Sequence, residues 1–177
     1  MSSTVLILPG IGNSGPGHWQ SRWQNAHPGF ERVQQRDWEA PVCSEWVSAL
    51  EAAVARTGAD TVLVAHSLGC LLVAHWAQAS RQKVRGALLV AVPDPAAAAF
   101  PAVAVGFAPV PQRPLGFASI VVASSDDPYG SLPHAETCAA AWGGTFVAIG
   151  DRGHINADSG LGDWPEGWHL LSRLRGA

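Results

Sequence analysis

The stretch Thr61-Val-Leu-Val-Ala-His-Ser-Leu-Gly-Cys-Leu-Leu-Val-Ala-His-Trp76 holds one serine, Ser67, between two small residues, Ala65 and Gly69. An apolar run precedes it and an apolar helical pattern follows. A serine in that setting sits on a sharp strand-to-helix turn, and its hydroxyl stands clear of a sheet. The positions two before and two after must be small, because strand and helix nearly touch there. Gly69 meets that demand, and Ala65 adds only a methyl where glycine is usual. The helix behind the serine aims its N–H groups and positive dipole end at the oxygen. The backbone N–H of Leu68 is therefore a candidate oxyanion donor. The plainer alternative is a serine that merely caps a helix.

A serine hydroxyl needs a base, and the base needs an orienting acid. Turns of this type place them in the order Ser, Asp/Glu, His. Two polar clusters fit that order. Ser124-Ser125-Asp126-Asp127-Pro128-Tyr129 follows an apolar run, and Gly150-Asp151-Arg152-Gly153-His154 follows the next. Of the seven histidines, His154 is the best placed, with Gly153 allowing a tight turn before it. His66 is expected to point away from the nucleophile, and His75 lies on the following helix. His18, His27, His134 and His169 lack a comparable setting. For the acid, Asp127, directly before Pro128, is preferred over Asp126, which reads as a turn residue. Asp94 is a third option.

A second oxyanion donor is expected from the loop Leu8-Pro9-Gly10-Ile11-Gly12-Asn13-Ser14-Gly15, through the N–H of Ile11 or Gly12. The same loop matches G-x-G-x-x-G, the dinucleotide fingerprint. Pro16-Gly17 interrupts it where a phosphate-binding helix would begin, so a dinucleotide-dependent enzyme is the weakest reading. Asn13, His18 and Trp19, within or just beyond this loop, are pocket candidates.

The elements that must hold these residues read as alternating strands and helices. Strands are expected at Thr4–Leu8, Phe30–Val33, Thr61–Ala65, Ala87–Val92, Ile120–Ala123 and Thr145–Ile149. Helices are expected at Trp19–Ala26, Cys43–Arg56, Leu68–Ala79, Ala135–Trp142 and Glu166–Leu174. The strands are apolar on both faces, which calls for a parallel sheet covered by helices on either side. Both polar clusters then fall at carboxyl ends of strands, on the same edge as Ser67, where open parallel sheets meet ligands. Pro93–Phe117 carries six prolines and reads as an irregular surface loop, a lid or pocket wall, or a plain insertion.

The chain has 177 residues, 47% of them hydrophobic and only 14% charged, which fits one domain spanning residues 1–177 and excludes general disorder. Eleven basic and fourteen acidic residues give a net charge of −3, and Lys83 is the only lysine. No basic cluster offers itself to nucleic acid. No apolar run approaches the ~20 residues of a membrane span, and the start lacks a basic leader, so a cytoplasmic protein is expected. Cys43, Cys70 and Cys138 are odd in number and have no C-x-x-C spacing, so they read as free thiols, with no metal site.

Taken together, Gly17-His18-Trp19-Gln20-Ser21-Arg22-Trp23, Ala65–Gly69, Ala123–Tyr129 and Gly153-His154-Ile155-Asn156 resemble the small serine hydrolases of the retinoblastoma-binding protein 9 type, many of them bacterial. The resemblance implies an α/β-hydrolase fold without a large cap domain. It also implies a triad on Ser67, Asp127 and His154. The chain departs from the family in having Pro9-Gly10 where His-Gly is usual, and Ala65 in the elbow. The expected activity is cleavage of a small carboxylic ester, thioester or amide without a cofactor. The alternative is a protein-interaction module whose site is weak or silent.

Overall fold

The computed structural model describes residues 3–176. Six strands form one sheet: β1 (Val5–Leu8), β2 (Phe30–Arg32), β3 (Val62–His66), β4 (Gly86–Val90), β5 (Ala118–Ala123) and β6 (Thr145–Ala148). Their order is β2-β1-β3-β4-β5-β6, and every pairing is parallel. The helices are α1 (Trp19–Ala26), α2 (Cys43–Thr57), α3 (Leu68–Ala79), α4 (Leu132–Trp142) and α5 (Pro165–Arg175), with a short 3-10 turn at Ala157–Ser159. This is an α/β-hydrolase fold with no large cap domain.

The period of two along each strand sorts the core into two layers. Leu6, Leu8, Leu63, Ala65, Leu89 and Val121 face α2, α3 and α4, where Trp46, Leu50, Leu71 and Trp142 pack. Val5, Ile7, Val62, Val64, Leu88 and Val122 face α1 and α5, against Trp19, Trp23, Trp164 and Leu171. Because both faces are covered, the central strands are apolar throughout. Each fully buried Val or Leu contributes about 1.5–3 kcal/mol from area removed from water.

Several boundaries differ from the sequence reading for local reasons. β4 stops at Val90 because Ala91 turns the chain at φ 59°. α4 begins at Leu132, since Ser131 caps it by accepting from the N–H of His134 and Pro133 fits the first turn. Pro93–Phe117 is irregular, as expected, but it is not all surface. Phe107 is fully buried beside Trp46, Leu115 is buried, and Val105 bridges to Val42. Cys43, Cys70 and Cys138 all lie in the core. Among the described residues, no helix is long and apolar enough to cross a membrane.

The approach of α3 to β1 has a direct test. A Cβ built on Gly69 would fall inside contact distance of the Leu8 carbonyl, and both partners are backbone. Gly69→Ala is therefore expected to destabilise the protein by about 3 kcal/mol, at the upper end of overpacking costs. Urea unfolding checks this; an unchanged midpoint would contradict the close approach.

Candidate active site

Three strand ends build the site. Ser67 follows β3 and precedes α3 with φ 54° and ψ −122°, a left-handed conformation that costs a non-glycine residue roughly 1–3 kcal/mol. Its N–H donates to the Val90 carbonyl at 2.9 Å, and its carbonyl accepts from Cys70 at 2.8 Å, so the turn is held from both sides. Gly10 makes room for it: a Cβ there would lie 3.0 Å from the Ser67 Cβ.

The loops after β5 and β6 are stitched together. Asp126 accepts from the Ser124 hydroxyl and from the Gly153 N–H, each at 2.7 Å. The Arg152 N–H donates to Ser124 Oγ at 2.8 Å. These bonds hold the Asp126 carboxyl below the usual range, the Ser124 contact foremost. Asp127 turns the other way. Both of its carboxylate oxygens lie 2.9 Å from His154 Nδ1, and it also accepts from the Tyr129 N–H. A carboxylate can only accept, so Nδ1 carries the proton. His154 Nε2 then lies 2.8 Å from Ser67 Oγ, as an acceptor for the hydroxyl. The Asp127 side chain is 2% exposed and that of His154 is 11% exposed, so water scarcely reaches the pair.

Asp94 lies outside this arrangement. One of its oxygens accepts from the Ala96 N–H, and the other is 3.9 Å from His134.

Ser67 and His154 open onto a cavity of about 230 Å³, whose walls include Ile11, Asn13, His18, Phe100, Pro101 and Tyr129. Leu68, His66 and Asn156 also line it, and no Asp, Glu, Lys or Arg does so among the described residues. Part of the proline-rich segment is thus a pocket wall.

Three sequence expectations need correction. Gly12 is not placed to serve an oxyanion, because its N–H is already given to the Trp38 carbonyl at 2.8 Å. Among the described residues, no acceptor takes the N–H of Ile11 or of Leu68. Trp19 is not on the cavity wall. It is 1% exposed in the core, and its indole N–H donates to the Ile155 carbonyl at 2.8 Å, anchoring the backbone next to His154. His66 does not point away. Its Nε2–H donates to the His154 carbonyl at 2.8 Å, which ties the His154 loop to the strand that carries Ser67. The signal was available: strand alternation puts residue 66 on the same face as Val62 and Val64, where the His154 loop packs. The glycine loop at 10–15 does not feed a phosphate-binding helix start either; α1 begins at Trp19, and the His18 side chain closes its first turn.

His18 and His66 form an edge-to-face pair at 4.6 Å, and His66 meets His154 at 4.9 Å. Burial, then Arg32 and His154, lower the His18 pKa from 6.5 to about 4. Burial also pushes His66 well down. Both rings are therefore neutral in the fold, while the unfolded chain takes up their protons below about pH 6.5. The unfolded state binds more protons in that window, so stability falls as pH drops from about 6.5 towards 4. His18 alone is expected to cost the protein about 2 kcal/mol between about pH 7 and about pH 5. Urea unfolding of the wild type and of His18→Asn at the two pH values checks this; equal slopes would contradict it.

The sequence pattern of the family described as serine hydrolase matches residues 5–173. The chain belongs to the serine hydrolase family. A YdeN-like hydrolase from Pectobacterium atrosepticum is 31% identical, with a TM-score of 0.87 over 97% of this chain and 90% of that one. The ydeN gene product of B. subtilis is 20% identical, with a TM-score of 0.78 over 98% of each chain. The type II thioesterase BorB from the borrelidin biosynthetic cluster shares the fold at 17% identity, with a TM-score of 0.68 over 99% of this chain and 92% of that one. No curated protein sequence matches. In this serine hydrolase, the cavity and the row Ser67–His154–Asp127 coincide at one rim of the sheet.

Proposed function

We propose that this serine hydrolase cleaves a small carboxylic ester, thioester or amide through an acyl-enzyme, with Ser67, His154 and Asp127 as its triad. The observation that carries the reading is the unbroken row from Ser67 Oγ to His154 Nε2 at 2.8 Å, and from Nδ1 to Asp127 at 2.9 Å, opening on the cavity. His154 accepts the Ser67 proton as Oγ bonds to the carbonyl carbon. The carbonyl π electrons move to oxygen, where the N–H groups of Leu68 and Ile11 receive the charge. The bond to the leaving group then breaks, and His154 returns the proton to it. Water, deprotonated by His154, attacks the acyl-enzyme and releases the acid and the free hydroxyl. Asp127 keeps the ring in the required tautomer and stabilises its charged form.

A cavity of about 230 Å³ is below the roughly 300–1,000 Å³ of pockets for drug-sized ligands, which favours a short acyl group. The finer kinship with the retinoblastoma-binding protein 9 type belongs to this proposal and rests on the Gly17–Trp23 and Gly153–Asn156 segments. A fluorophosphonate probe tests the function. A covalent adduct mapped to Ser67 by peptide mass spectrometry is expected. A folded protein that stays unlabelled would overturn the reading and favour an interaction module.

A further inference from the structure

We propose that Arg32 is a positioning residue for the oxyanion hole: its guanidinium fork holds the loop after β1 in the form that presents the Ile11 N–H to the developing oxyanion. The proposal rests on the reading of Ser67, His154 and Ile11 given above. Arg32 ends β2, opposite Ile7 of β1. Beyond β1, a Cβ on Gly10 would lie 3.0 Å from the Ser67 Cβ and 3.3 Å from the Leu68 nitrogen. The chain leading into Ile11 therefore passes directly over the strand-to-helix turn. Ile11 and Leu68 share the cavity wall with Ser67, and no acceptor among the described residues takes either N–H. The next two residues are both left-handed, Gly12 at φ 74° and Asn13 at φ 65°. At a non-glycine residue such a conformation persists only where the surroundings over-determine it.

Arg32 supplies those surroundings. Its Nη1 donates to Asn13 Oδ1 at 2.8 Å and to the Ser14 carbonyl at 2.9 Å. Its Nη2 donates to Ser21 Oγ at 2.7 Å, and that hydroxyl gives its own proton to the Ser14 carbonyl at 2.8 Å. Nε donates to Gln24 Oε1 at 2.9 Å. One planar group thus joins the strained loop to β2 and to α1. None of these four partners is a carboxylate, and burial lowers the guanidinium pKa. A cation held on neutral partners is a poor device for stability alone. What arginine offers here is geometry: a rigid fork of donors that reaches several segments at once. Lysine brings the same charge to a single point and cannot span them. A loop displaced by about 1 Å would carry the Ile11 N–H away from the oxyanion and slow the chemistry by up to about a hundredfold.

The test compares wild type with Arg32→Gln and Arg32→Lys in hydrolysis of p-nitrophenyl acetate and in affinity for two inhibitors. Ser67 Oγ adds to the carbonyl carbon of 1,1,1-trifluoropentan-2-one. The hydroxyl proton passes to His154 and the carbonyl π electrons to oxygen, so the adduct presents an oxyanion. Butyramide binds without forming one. Both variants are expected to lose about thirtyfold in kcat/KM, less than the roughly 10²–10³ of an oxyanion donor removed outright. Affinity for the ketone is expected to fall in step, and affinity for butyramide to stay within about twofold. A folded Arg32→Gln within about threefold of wild type would overturn the proposal. So would a loss for butyramide equal to that for the ketone, the mark of a pocket loosened in general. Full activity in Arg32→Lys would also overturn it, by assigning the effect to charge and not to the fork.

Ser21→Ala decides the matter if both Arg32 variants fail to fold. It removes one acceptor of the fork together with the bond from Ser21 to the Ser14 carbonyl. It is expected to weaken the ketone about fivefold and to leave butyramide unchanged; unchanged affinity for the ketone counts against the proposal. Fluorophosphonate labelling of the wild type separates the two readings. Labelled protein with unchanged ketone affinity in the variants sinks only the role of Arg32, whereas unlabelled protein sinks the nucleophile.

Discussion

Ser67→Ala is expected to lower kcat for an activated ester by roughly 10⁶-fold and to leave the fold in place. In the proposed mechanism, removing Oγ removes the atom that forms the acyl-enzyme, and among the described residues no other hydroxyl bonds to His154 Nε2. What survives is binding and oxyanion stabilisation, worth roughly 10³–10⁴ over water in enzymes of this type. The fold should tolerate the change because the turn is held by backbone bonds, from Ser67 to Val90 and from Cys70 to Ser67, which alanine keeps. Alanine also occupies the left-handed φ at a cost similar to serine's. Ester hydrolysis, read beside a thermal melt, decides it. A folded variant that retains wild-type turnover would end the assignment.

The two adjacent aspartates give the second large effect. Asp127→Asn is expected to reduce kcat by roughly 10⁴-fold. An asparagine facing Nδ1 can present its amide N–H₂, which favours the tautomer with Nε2 protonated. His154 then meets the Ser67 hydroxyl as a donor and cannot accept its proton. Asp126→Ala is a different perturbation. It breaks the staple from Asp126 to Gly153 and Ser124 and lets the His154 loop shift. Misplacement of that kind costs roughly ten- to a hundredfold. Reversed magnitudes in a side-by-side pH–rate comparison would transfer the acid's role to Asp126.

Much of this arrangement could be read along the chain, and the exceptions have physical causes. The strand-to-helix turn at Ser67 follows from the small residues at 65 and 69 between apolar runs, a local demand that sequence expresses directly. Choosing between Asp126 and Asp127 from sequence could draw only on Pro128 and turn chemistry. In the structure, Asp126 binds two loop groups and Asp127 faces the imidazole, a distinction set by how two loops meet. The acceptor of the Gly12 N–H, the Trp38 carbonyl, lies on a separate loop after β2 that no local pattern links to the glycine loop. Trp19 lies within a segment beside the pocket, yet helix phase turns it into the core. The orientation of His66 follows from the alternation of its strand and not from its neighbour Ser67. Phe107, deep in a proline-rich segment, is buried by a tertiary contact with Trp46 that no local pattern announces.

The placement of the three cysteines gives the molecule an intrinsic opening gauge. Burial raises Cys43 and Cys138 to about 11 and pushes Cys70 well up from the usual thiol range, so hardly any thiolate exists at neutral pH while the fold is closed. Alkylation needs thiolate and access together. A maleimide pulse should therefore count whole-molecule excursions rather than surface chemistry. Cys70 on α3 and Cys138 on α4 would report two places on the same face of the sheet in one digest, with no label engineered in.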